Sequence, residues 1–167
     1  AHPDDIEFCM SGTLMRLGQA GYKLHYMNVA NGRVGTTKYD AETIVRIRRE
    51  EAIGAAESIG ATFHESLCDD ISIFYEPRTL ARVASIIRLV APDILLTHEP
   101  SDYMEDHTNT CRLAVTAAFC RGMINFGGDP HQDPGGKPVT IAHAQPDTHY
   151  ERLRQVVVPG IFVDVTG

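Results

Sequence analysis

Apolar and polar positions along the chain fall into two kinds of pattern. Five short stretches rich in β-branched and other apolar residues, bounded by turn residues, read as strands: residues 23–30 (KLHYMNVA), 61–67 (ATFHESL), 93–98 (DILLTH), 139–145 (VTIAHAQ) and 160–166 (GIFVDVT). Between them apolar residues recur at helical spacing. Residues 11–21 predict a short helix ending in Gly. Residues 40–60 predict a longer one, with Val45, Ala52, Ala56 and Ile59 on one side, Asp40 as its N-cap and Gly60 at its stop. A third begins at Pro77, tolerated at the first helical position, and ends before Pro92. A fourth runs from about His107 to Cys120.

Strands alternating with helices predict an α/β fold, a mostly parallel sheet with helices on both faces, in one domain over residues 1–167. Ligand sites in such sheets lie beyond the carboxyl ends of the strands. Residues 122–138 are rich in Gly and Pro and read as one long loop, in which Asn125 and Phe126 are candidates for a lid.

Composition narrows the function. Hydrophobic residues make up 43% of the 167 and charged residues 22%, as in ordinary globular domains. The formal net charge is -7 with no basic run, which argues against nucleic acid or an anionic membrane as partner. No apolar run reaches the roughly 20 residues of a membrane span. Cys9, Cys68, Cys111 and Cys120 show no metal-binding spacing and read as free thiols of a cytoplasmic protein.

Two stretches carry chemistry. The first, AHPDDIE at residues 1–7, taken alone reads as a turn, because Pro fixes φ and Asp favours turns. A motif of this kind belongs after a strand, so a strand is expected before Ala1, and further residues are expected after residue 167. The second, THEPSDYMEDHTNT at residues 97–110, runs from a strand into a helix on the ligand edge. His2 and Asp5 in a tight turn, joined by His107, make the two-imidazole, one-carboxylate set of catalytic zinc. A non-haem iron triad uses the same residue types. Hydrolysis at such a site needs a base near the metal's water but not bound to the metal, and Asp4 is placed for it. Asp106 alone reads as a helix N-cap.

AHPDDIE, the helix RREEAIGAAESIG and DYMEDHTNT together resemble the LmbE-like (PIG-L) family of zinc-dependent N-deacetylases over most of the chain. The resemblance implies a Rossmann-like fold and one zinc ion per chain on His2, Asp5 and His107. It implies Asp4 as general base and Asp106 as the acidic residue that tunes the site. It also implies Arg48 as a substrate contact with Glu51 as partner, while Arg46 and Arg49 stand close by. The activity implied is removal of an acetyl group from an N-acetylglucosamine-type sugar or conjugate, by an enzyme that often forms homo-oligomers.

One position departs. Many relatives carry a second histidine three residues before the metal-binding one, where this chain has Met104, followed by Glu105 instead of Pro. A thioether is a weak acceptor and cannot stabilise an oxyanion. The departure opens a second reading, a metal-dependent sugar-binding relative without turnover, and the ligand set leaves a third, a non-haem iron enzyme. His98, at a strand end, is the candidate replacement donor, and Tyr103 sits beside the site as a possible substrate contact. His143 and His149 are candidates for the pocket wall, and His25 and His64 read as structural.

Overall fold

The computed structural model describes residues 1–166. Its elements in chain order are α1 (Asp5–Cys9), α2 (Ser11–Gln19), β1 (His25–Met27), α3 (Ala41–Ser58), β2 (Thr62–His64), α4 (Pro77–Val90), β3 (Ile94–Thr97), α5 (Glu105–Cys120) and β4 (Thr140–His143). The α/β class is therefore as the pattern predicts. The strands form two parallel pairs rather than one sheet: β1 with β2, His25 opposite Thr62, and β3 with β4, Ile94 opposite Thr140. Between β1 and β3 lies an apolar cavity of about 520 Å³, lined by Ile6 of α1, Met10 between the two helices and Leu14 of α2, and by Val83, Ile87 and Ala114 from α4 and α5.

Local chemistry explains the helix ends. The Asp40 carboxylate accepts the Thr43 amide hydrogen bond at 2.9 Å, satisfying one orphan donor of α3. Pro77 opens α4, and Ala91 closes it in the left-handed conformation. The inward face of α3 is Ile44, Ala52 and Ala56, with Val45 and Ile59 only half-buried. Ala52 and Ala56 pack with Ile6, Met10 and Tyr26 in one core cluster. Val83, Ala84, Ile87, Leu113 and Ala117 join α4 to α5 in the other.

Two expectations are corrected. Residues 160–166 form no strand: Ile161 and Phe162 are exposed, and the segment lies beside α2, where Arg16 donates to the Asp164 and Thr166 carbonyls. Alternating apolar residues make a strand only where a sheet edge is free to pair with them, and this segment meets a helix. Residues 122–138 are no lid. Arg88, buried in α4, donates to the carbonyls of Met123, Phe126 and Gln132 and staples the loop to the C-terminal end of α5. At about 1.5 Å per residue, that is some 20 Å from the helix start that carries His107. Among the described residues, no helix is long and apolar enough to cross a membrane.

Candidate metal centre and active-site cleft

The turn before α1 folds onto its own carboxylate. Asp5 Oδ2 accepts from the His2 backbone N–H at 2.6 Å, which brings the His2 ring alongside, with Nδ1 3.3 Å from the same oxygen. His107, in the first turn of α5, places Nε2 3.2 Å from that oxygen too. One ligand atom each from His2, Asp5 and His107 lies within 4.8 Å of the others. The two distant stretches thus meet.

Two further carboxylates fix the imidazoles. His107 Nδ1 is 3.0 Å from Asp102 Oδ2, and Asp102 is itself buried and held by the Met104 amide at 2.8 Å. A proton on Nδ1 facing Asp102 leaves a lone pair on Nε2, which is buried with no hydrogen-bond partner among the described residues. His2 Nε2 lies 2.9 Å from Asp106 Oδ2, so its Nδ1 carries the free lone pair. Two lone pairs and a carboxylate converging on one point, one of them otherwise orphaned, are the donor set of a divalent metal. The residues fit such an ion.

Without a metal the same carboxylates favour the doubly protonated ring. Burial alone would lower His107, but its hydrogen bond to Asp102 and the negative charge of Asp5 outweigh it and raise its pKa to about 9, so a metal at Nε2 displaces a proton. Burial opposes ionisation of Asp5, yet the rings of His107, His2 and His98 around it hold it far below the usual carboxylate range. Burial pushes His98 down to about 4, so it is a neutral ring at pH 7.

The remaining expected residues divide. Asp4 is half-exposed at the mouth, with φ +103, an unusual conformation of the kind often found at functional sites. Its Oδ2 accepts from Arg48 Nη2 at 2.7 Å, and Arg48 also donates to the Pro3 carbonyl and to Glu51 Oε2. Arg46 and Arg49 instead pair with Glu50 and Glu65, away from the site. Gly32, at φ +79, lies so close to Arg48 that an added Cβ would sit 2.7 Å from its Cγ. His98 is buried behind His107, its ring stacked at 4.0 Å and its Nε2 3.5 Å from Asp5 Oδ2. It does not line the cleft, nor does the exposed Tyr103. His143 Nδ1 bonds the His98 carbonyl, and His25 pairs with His64 at 2.9 Å.

His2, Asp4, Arg48, Ile71, Met104 and Asp106 face a cleft of about 410 Å³. Sequence reasoning passed over Asp102 and Asp70. Asp70 accepts the Gly32 and Val34 amides at 2.7 and 3.0 Å and shapes one wall. Asp102 sits five residues before a metal-binding candidate, a spacing at which a loop returning to a helix start can reach the ring. Asp102→Asn is expected to weaken metal affinity 10- to 100-fold with the fold intact. Competition against a chelator measures it, and unchanged affinity would remove Asp102 from the site.

The chain is similar to several known proteins. The diacetylchitobiose deacetylase of Thermococcus kodakarensis is 28% identical over 78% of this chain and 54% of its own length. The 4-oxalmesaconate hydratase of Pseudomonas putida is 29% identical over 100% of this chain and 66% of its own. The solved structure of the N,N'-diacetylchitobiose deacetylase of Pyrococcus horikoshii, bound to an inhibitor, superposes with a TM-score of 0.78 at 26% identity, over 87% of this chain and 58% of that one. The chain thus spans less than two thirds of each of these relatives. The model of the PIG-L family, described as GlcNAc-PI de-N-acetylase, matches residues 1–119, which include both stretches that meet in the candidate site, and the chain belongs to that family.

Proposed function

We propose that the chain carries the active site of an N-deacetylase for N-acetylglucosamine-type sugars or their conjugates, with one zinc ion on His2, Asp5 and His107. The observation that carries the reading is the buried, unpartnered Nε2 of His107 facing Asp5 and His2, and His2 lines a cleft that also presents Asp4. The ion would supply Lewis-acid polarisation of the amide carbonyl and a lowered pKa for water. Asp4 takes the proton from the attacking water and returns it to the departing amine nitrogen. Arg48 aims the Asp4 carboxylate through the 2.7 Å hydrogen bond, and Asp102 and Asp106 hold the two rings in one tautomer. His98 packs behind His107 and fixes that ring rather than touching substrate. Met104 brings no polar donor to the cleft, so stabilising a developing oxyanion would fall to the ion when bound.

We further propose that a strand seated between β1 and β3 joins the two parallel pairs into one Rossmann-like sheet, since the cavity there is apolar on both faces. The four free thiols fit a reducing cytoplasm.

A second reading, hydration of a polycarboxylate, has in its favour that the hydratase relative aligns over the whole chain. Cleft charge weighs against it, because Asp4, Asp70, Glu105 and Asp106 line the space beside one arginine. The full-length protein loaded with zinc is offered N-acetylglucosamine and diacetylchitobiose, with 4-oxalmesaconate in parallel. Acetate release is the expected result. Hydration without acetate release overturns the deacetylase reading, and sugar binding with neither reaction marks a binding protein.

A further inference from the structure

The cleft has an apolar wall that the hydrolytic chemistry does not use. Three separate segments build it: Val34 from the loop after β1, Ile71 from the loop after β2, and Met104 at the start of α5. Val34 is 55% exposed and Ile71 74% exposed, so neither is there to fill a core. Asp4, Arg48 and His2, with Asp70, Glu105 and Asp106, supply the polar part of the same cleft.

Ile71 is the telling residue. Its φ is +61, in the left-handed region where a β-branched side chain is a rarity and where Gly, Asn or Asp would sit with less strain. The conformation is imposed from both sides. The Ile71 amide donates to Asp106 Oδ2 at 2.7 Å, and the preceding Asp70 carboxylate is tied to Gly32 and Val34. The same Asp106 oxygen lies 2.9 Å from His2 Nε2, so the wall is one hydrogen bond from the metal-ligand set. An isoleucine that is both strained and exposed gains little from folding. What it offers is apolar surface at the mouth of the cleft.

We propose that the cleft selects N-acyl amino sugars bearing an apolar alkyl or aryl group, which lies against Val34, Ile71 and Met104 while the sugar faces Arg48 and Asp4. This rests on the deacetylase reading above and names its substrate class. The apolar group has two sources, an aglycone on the sugar or an acyl chain longer than acetyl. Both present the same chemistry to the wall.

The test compares kcat/KM of the zinc-loaded full-length enzyme for N-acetylglucosamine, its octyl glycoside below the micellar concentration, and N-octanoylglucosamine. Each methylene removed from water favours binding by roughly fourfold, so partial burial of the chain gives a preference of about 10- to 100-fold for one of the two octyl compounds. Which one it is identifies aglycone or acyl chain. Ile71→Asn is expected to pull that ratio toward one while leaving the melting temperature equal or higher, because Asn tolerates positive φ. Ile71→Leu keeps the ratio. Turnover of N-acetylglucosamine with no preference for either octyl compound overturns the apolar wall and leaves the deacetylase reading standing. If no substrate releases acid, the hydrolytic reading has failed. The wall is then read by calorimetric binding of the octyl glycoside, where equal affinity in wild type and Ile71→Asn overturns it.

Discussion

Asp4→Asn is expected to lower kcat for acetate release by about 100- to 10,000-fold while zinc content stays at one per chain. The substitution separates two adjacent carboxylates that sequence alone cannot tell apart. Asp5 is buried, at the centre of His2, His107 and His98, whereas Asp4 faces the cleft and touches only Arg48 among the described charged groups. Asn keeps the shape and an oxygen for the Arg48 hydrogen bond, and it tolerates the φ of +103 better than Ala would. What it loses is the ability to accept a proton at neutral pH. The loss should therefore fall on kcat and spare KM, since an amide of the same size leaves ground-state contacts in place. Undiminished turnover would remove Asp4 from proton transfer. Loss of zinc instead would mean that Asp4, not Asp5, supplies the carboxylate ligand.

How far the sequence foretold this site depended on what kind of signal each residue leaves. Helix boundaries were legible because caps are local: Asp40, Pro77 and Pro92 act on neighbours in sequence, and α3 and α4 begin and end within two residues of where those signals place them. Strand 160–166 was illegible because pairing depends on an edge contributed by distant residues. The choice among Arg46, Arg48 and Arg49 had a signal that apolar spacing obscured. Ile44, Arg48, Ala52 and Ala56 recur every four residues, so Arg48 alone of the three shares the buried stripe. Its placement on Asp4 follows from that stripe.

Asp106 shows the opposite limit. Its neighbour in sequence is His107, yet its carboxylate bonds His2, more than a hundred residues away, and His107 is held by Asp102. Successive residues on a helix point about 100° apart, so adjacency in the chain almost ensures that Asp106 and His107 do not face each other. A carboxylate next to a candidate metal-binding histidine is thus better read as serving a different histidine of the same site. The Met104 position follows the same geometry: three residues before His107, it lies one turn away and faces the cleft.

Zinc uptake by the metal-free protein at pH 7 is expected to release at least one proton, and His107→Ala to abolish most of that uptake. The sign follows from the tautomers. A ligating imidazole must present a lone pair, and His107, raised to about 9 by Asp102 and Asp5 against the effect of burial, is protonated at pH 7 until metal displaces the proton. His2 is also raised, its burial outweighed by Asp5 and Asp106. Protons therefore compete with the ion. Apparent affinity should climb about tenfold for each unit of pH below 9, more steeply where His2 also titrates, and level off above it. Calorimetry in two buffers of different ionisation enthalpy counts the protons directly, and mass spectrometry gives the stoichiometry. Because His107→Ala also leaves a hole beside the stacked His98, His107→Gln serves as the volume-conserving control: it should fold, and it too should lose zinc. Stoichiometric zinc in both variants, or affinity flat from pH 6 to 9, would show that the ion is held elsewhere and that the meeting of His2, Asp5 and His107 is an ion-pair network alone.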